Sequence, residues 1–306
     1  MSDAVPQERE SHSRRVWQLA WPSILSNLLF TTVGFMHIKI VAELGTSAVA
    51  AVTTGHRVFF LIQAILMGVS IAATAMISRA WGARDIRQAE MDTWTALTVS
   101  IALAAVLSLP ALLIPEQLAG LFGLDDETTR LAGTFIFWLG VFNVATAVNM
   151  MLQTALRATG DVITPLWILS FSTVLNISFG FCLAYGLGPL PAMGVAGVAL
   201  GGSSASTLVT IVFATLWWRG RFNLRPVKRL SIDWLATRRL AAIGMPSIIE
   251  QGVVQLAFLL FFGIVAQYGT APYAAYGIGV SLVSFPIVVG FGFGIAAATL
   301  VGQQLG

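Results

Sequence analysis

The sequence predicts an all-α polytopic membrane protein of about eight transmembrane helices, and three observations carry that prediction. Hydrophobic residues make up 57% of the chain and charged residues 10%, with a mean hydropathy of +0.82. An ordinary globular domain has about a quarter of its residues charged. The stretch from Pro22 to Gly82 recurs from Pro246 to Gly306 at a constant offset of 224 residues. PSILSNLL meets PSIIEQGV, ELGTSAVAA meets QYGTAPYAA, and MGVSIAATAMISRAWG meets FGFGIAAATLVGQQLG. Each copy is a long apolar segment opened by a proline, a Gly-Thr turn and a second apolar segment ending at a glycine, which reads as a transmembrane hairpin. The third observation is the placement of charge: 14 of the 17 Lys and Arg residues fall on one side of the deduced spans. By the positive-inside rule both termini are then cytoplasmic and the number of spans is even.

Taken in order, residues 1–15 form a polar cytoplasmic tail carrying Arg9, Arg14 and Arg15, without the cleavage pattern of a secretory signal. Span one covers 16–42, with Trp17 and Trp21 at an interfacial level. Span two covers 49–78, span three 94–114 closed by Pro110 and Pro115, and span four 128–156. Span five starts at Thr164-Pro165, where proline suits a first helical turn, and ends near Gly188. Span six, 194–218, completes a first six-helix bundle over 16–218. A basic cytoplasmic linker, 219–239, leads to the repeated hairpin, 240–306. Gly197 and Gly201 in span six, and Gly290, Gly292 and Gly294 in span eight, read as close helix–helix contacts.

Several functions are excluded. The sequence pI near 9.4 comes from basic loops between apolar spans, so nucleic acid is not a partner. The single Cys182 lies in an apolar span and supports neither a disulfide framework nor a cysteine metal site. No HExxH, GxSxG or pair of intramembrane aspartates indicates an enzyme, and no cofactor is expected.

AWPSILSNLLFTTVGF, LGTSAVAAV, LMGVSIAATAMISRAWGARD, LRATGDVITPLW, GVAGVALG, MPSIIEQ and GIAAATLVGQQLG, in this order and spacing, resemble the multidrug and toxic compound extrusion (MATE) family. The resemblance implies two six-helix bundles, alternating access, and export of amphipathic, cationic small molecules against entering H+ or Na+ in the cell (plasma or inner) membrane. Against that pattern the repeat register places one bundle and the first hairpin of a second in this chain. The helices that would complete the second bundle are then an expected partner, beside membrane lipid and the small-molecule substrate. Two alternatives stand beside the antiporter: a truncated member that does not transport, and a lipid-linked sugar flippase of the same superfamily.

Polar groups within spans are costly and therefore candidate sites. His37 stands in VGFMHIK where the family presents an aspartate; it exchanges protons near neutrality but is a poor sodium ligand, or else is an inert hydrogen-bonded histidine. Asn176 matches the family's asparagine in span five, while Gly180 stands where some members carry a second acid. Arg57, beside His56, faces the cleft or snorkels to the interface. Gln63, with Asn143 and Asn149, bonds between helices or meets substrate. Glu250 is the acid within span seven; burial would raise its pKa and suit it to coupling, or else it pairs with a basic group at the cytoplasmic side. Lys39 and Glu43, four apart, are expected to form an interfacial pair. Pro22 and Pro246 open their helices and are hinge candidates, or plain helix-start prolines.

Overall fold

The computed structural model describes residues 4–187, 191–227, 233–266 and 270–306, which form ten helices with no strand among them. They are α1 (Ala4–Ala42), α2 (Thr46–Gly82), α3 (Ile86–Leu113), α4 (Pro115–Gly120), α5 (Asp126–Val141), α6 (Asn143–Ala158), α7 (Ile163–Tyr185), α8 (Gly194–Trp218), α9 (Trp234–Ala266) and α10 (Thr270–Leu305). Seven helices among the described residues are long and apolar enough to cross a membrane, and α5 with α6, bent by 52° at their junction, bring the number to eight where the pair counts as one span.

The fourth span is therefore two helices, not one. Asn143 is fully buried at the head of α6, where its Nδ2 donates to Ala104 O (3.2 Å) and Ser108 Oγ (3.1 Å) of α3. The prolines also sit differently from expectation. Pro22 and Pro246 lie inside α1 and α9 rather than at their starts, and Pro110 lies inside α3 rather than closing it. Upstream polar sequence extends the helices: the tail is helical from Ala4, and α9 begins at Trp234, within the expected linker. Asp233 explains the latter, since its Oδ1 accepts from the N–H groups of Leu235 (2.9 Å) and Ala236 (3.3 Å). Around Pro22 the hydroxyls of Ser23 and Ser26 donate to Leu19 O (2.9 Å) and Pro22 O (2.8 Å). The missing proline N–H leaves the carbonyl of Gln18 without its helical donor. Gly188 and Gly269, which marked the expected turns after spans five and seven, lie outside the described residues.

Two buried clusters hold the first bundle together. One joins Ile77 of α2, Ala96 of α3, Met151 of α6 and Phe213 of α8; the other joins Val41 of α1, Ala51 of α2, Phe135 of α5 and Val198 of α8. Small residues bring α7 and α8 close: a Cβ on Gly197 would meet the Leu183 backbone, and one on Gly201 the Phe179 backbone.

The repeat is visible as symmetry between the hairpins α1–α2 and α9–α10. A Cβ on Gly68 would lie 2.9 Å from the Ile248 backbone nitrogen; a Cβ on Gly292 would lie 2.9 Å from that of Ile24. These contacts exchange under the 224-residue offset. Ser78 and Gly302, equivalent in the repeat, meet each other where α2 and α10 cross. Of the other span-eight glycines, Gly290 and Gly294 have open space beside them.

Candidate functional site

Near the end of α1, one side chain is both polar and buried. His37 is only 3% exposed, and its Nε2 lies 2.8 Å from Asn176 Oδ1 on α7. The Asn176 Nδ2 donates to Gly202 O (2.9 Å) and to Ser206 Oγ (2.9 Å), both on α8. A carbonyl only accepts, so the atom facing Gly202 is the amide nitrogen and the one facing His37 is the oxygen. That oxygen also only accepts. His37 Nε2 therefore carries hydrogen, and in the neutral ring Nδ1 is bare.

The bare nitrogen has a partner. His37 Nδ1 lies 3.3 Å from His56 Nε2 on α2, with the two rings stacked at 5.4 Å and 25°. Phe135 of α5 presents itself edge-on to both, at 6.4 Å from His37 and 5.2 Å from His56. Four helices thus converge on one largely buried hydrogen-bonded chain, with Phe135 packed against both rings. In such surroundings a charge taken up by an imidazole interacts more strongly with its neighbours than it would in water.

Of the residues singled out from sequence, the structure brings together His37 and Asn176. Gln63 is buried two turns beyond His56 on α2, and its Oε1 has no hydrogen-bond partner among the described residues. Arg57 is exposed. Glu250 is also exposed, so the condition for a raised pKa is not met; on α9 it lies two residues past Ile248, whose side packs on Gly68, and so points away from α2. Gly180 is buried one turn beyond Asn176, where a Cβ would lie 3.5 Å from Val198 O. Asn143 and Asn149 both bond between helices, Asn149 Nδ2 donating to Thr210 Oγ1 at 2.9 Å. Glu43 does not pair with Lys39; its Oε2 lies 3.3 Å from the Tyr185 hydroxyl, whose single hydrogen it shares with the nearer Ile40 O at 2.6 Å. His56 is the participant that sequence reasoning passed over. Its available signal was a second histidine inside the span that follows His37, within the same hairpin.

Comparisons with known proteins fit this architecture. The MatE family model matches residues 22–182 and 246–306, more than half of the chain. The chain is 29% identical over 304 residues to the Probable multidrug resistance protein NorM of Bradyrhizobium diazoefficiens, covering 94% of this chain and 62% of that protein. It is 23% identical over 300 residues to the FAD transporter of Shewanella oneidensis, covering 96% and 65%. Among solved structures, a MOP superfamily transporter from Pyrococcus furiosus, described as having a binding pocket of reverse polarity, shares the fold with a TM-score of 0.86 at 21% identity, over 95% of this chain and 65% of that one. The chain thus spans less than two thirds of the length of these relatives. By the family match and by its membrane-crossing helices, this chain is an integral membrane protein that belongs to the MatE family, a family of transporters and not of enzymes.

Proposed function

We propose that the chain acts in a secondary antiporter that exports amphipathic, cationic small molecules in exchange for protons by alternating access, with His37 as the proton-carrying group. The observation that carries this reading is the buried bond between His37 and Asn176, whose amide is in turn fixed by α8. A protonated His37 keeps that bond, since Nε2–H is present in both states. The added positive charge, formed at a buried site, repels a cation bound beside it, so proton and substrate exclude each other. Mutual exclusion at one site is what exchange requires. Sodium fits less well, because a hard cation seeks several oxygen ligands and the site presents imidazole nitrogens. The charge asymmetry of the loops supports both termini facing the cytoplasm, in the plasma or inner membrane and in contact with its lipid.

The test is ethidium movement in proteoliposomes holding the full chain under an imposed pH gradient. His37→Gln keeps a donor for Asn176 but cannot titrate. Gradient-driven ethidium transport is expected to fall by about tenfold or more, with the variant still folded and inserted. Transport unchanged in that variant, or driven by sodium and indifferent to the pH gradient, would refute the reading. Replacing ethidium by FAD in the same vesicles tests the substrate class, since one relative is named a transporter of that anionic nucleotide.

A further inference from the structure

We propose that His37 and His56 form a single proton-binding unit that takes up one proton per cycle, and that His56 is its entry group. The inference deepens the proton-coupled reading of His37 and rests on it.

Hydrogen-bond direction carries the argument. Asn176 obliges His37 Nε2 to hold hydrogen, which leaves His37 Nδ1 as an acceptor. His56 Nε2, 3.3 Å away, must then be the donor, so the neutral His56 is bare at Nδ1. An incoming proton has one basic nitrogen open to it, the Nδ1 of His56. His56 is also the more accessible ring: it is partly exposed, whereas His37 is 3% exposed. When the proton forms an N–H bond at His56 Nδ1, the N–H bond at His56 Nε2 breaks and a new one forms at His37 Nδ1. No electrons are gained or lost. His56 is left neutral, with its hydrogen moved to Nδ1, and the positive charge rests on His37 beside the Asn176 oxygen.

A second proton is opposed by the same geometry. It would set two N–H groups against each other across 3.3 Å and place two positive rings in a 5.4 Å stack. Among the described residues, the groups facing the pair are Phe135 from α5, Asn176 from α7, and Ser206 of α8 through Asn176, none of them titratable. From α2 itself, Arg57 follows His56 in sequence and is exposed. The two rings are thus each other's titrating neighbour.

The experiment is a pH titration of the full chain in lipid nanodiscs with nitrogen-15 labelled histidine. The chain has three histidines, and the His12 signals are identified by their loss in His12→Ala. Both remaining rings are expected to carry hydrogen on Nε2 when neutral and to titrate together in one shared one-proton step. Two independent steps, or hydrogen on His37 Nδ1 in the neutral state, would overturn the proposal without any variant being made. His56→Gln supplies the complementary test, because its amide still donates to His37 Nδ1 but relays nothing. Proton-driven ethidium exchange in that variant is expected to fall by about tenfold, as in His56→Phe. Full activity in His56→Gln with loss in His56→Phe would reduce His56 to a positioning residue and refute the relay. Should wild-type ethidium movement ignore the pH gradient while the shared step persists, the transport reading fails and the one-proton unit stands.

Discussion

A single side chain can be legible by type and illegible by partner. His37 and Asn176 announce themselves as polar residues in apolar spans, but they are 139 positions apart and nothing in their spacing says that they touch. His56 was hidden by its neighbour: an adjacent arginine draws the eye to charge, and the helical rotation that turns Arg57 outward and His56 inward depends on which face of α2 meets α1. Gln63 poses a complementary problem. It is buried with an orphan Oε1, and an unpartnered buried acceptor costs about 1–3 kcal/mol. Gln63→Leu, close in volume and without that acceptor, is therefore expected to leave the thermal unfolding temperature unchanged or raised. A clear drop would show that the amide nitrogen supports the bundle. If the unfolding temperature holds while ethidium transport falls, the carbonyl oxygen serves the substrate instead.

At the scale of helices, the spans were readable because apolar length is a coarse property, whereas their bends and starts depend on contacts. The 52° break between α5 and α6 has no proline to mark it; at the break Asn143 reaches across to α3. The early start of α9 did carry a signal, Asp233, but a basic run around it reads more naturally as linker. Asp125 caps α5 in the same manner, its carboxylate accepting from Thr128 N (3.0 Å) and Thr128 Oγ1 (2.8 Å), which holds its pKa below the ordinary aspartate value. A pKa depressed by folding contributes stability above the unfolded value of about 3.9 and loses it as pH falls through the folded one. The difference in unfolding temperature between wild type and Asp125→Ala is therefore expected to narrow on acidification through that range. A gap that stayed constant would assign the loss to something other than the charged cap. The α7–α8 contact allows a sharper test of the site. A Cβ on Gly202 would lie 2.9 Å from Asn176 Oδ1, so Gly202→Ala must displace the amide that orients His37. Overpacking of this kind costs roughly 1–3 kcal/mol. The methyl group is expected to lower gradient-driven ethidium transport much as His37→Gln does, although no titratable group is touched. Wild-type transport in Gly202→Ala would mean that the Asn176 bond is dispensable.

The whole molecule is organised by its internal repeat, and this was its most readable feature, because a constant offset survives divergence in individual residues. What the repeat could not disclose is where the two copies touch. They meet in exchangeable pairs, Gly68 with Ile248 and Gly292 with Ile24, and meet again where Ser78 and Gly302 cross. The Ser78 end of the hairpins is thereby shut, with Ser78 itself fully buried. Side chains brace this closure: Gln303 Nε2 donates to Ala158 O at 2.9 Å, so that α10 caps the last turn of α6. Alternating access by this chain would require that end to open, and Pro22 and Pro246, which lie within α1 and α9 and lack a backbone donor, are the hinge candidates for that motion. The prediction is made with Cys182→Ser removing the single natural cysteine and Ser78→Cys supplying a reporter. In the closed arrangement the reporter is expected to react slowly with a membrane-impermeant maleimide. Gly302→Leu drives a side chain into the space Ser78 occupies and favours separation of α2 from α10; labelling is then expected to accelerate by about tenfold, the effect of a shift near 1.4 kcal/mol in the open-to-closed balance. Unchanged labelling would mean that the crossing at Ser78 and Gly302 does not control access, and that the two hairpins move as one body.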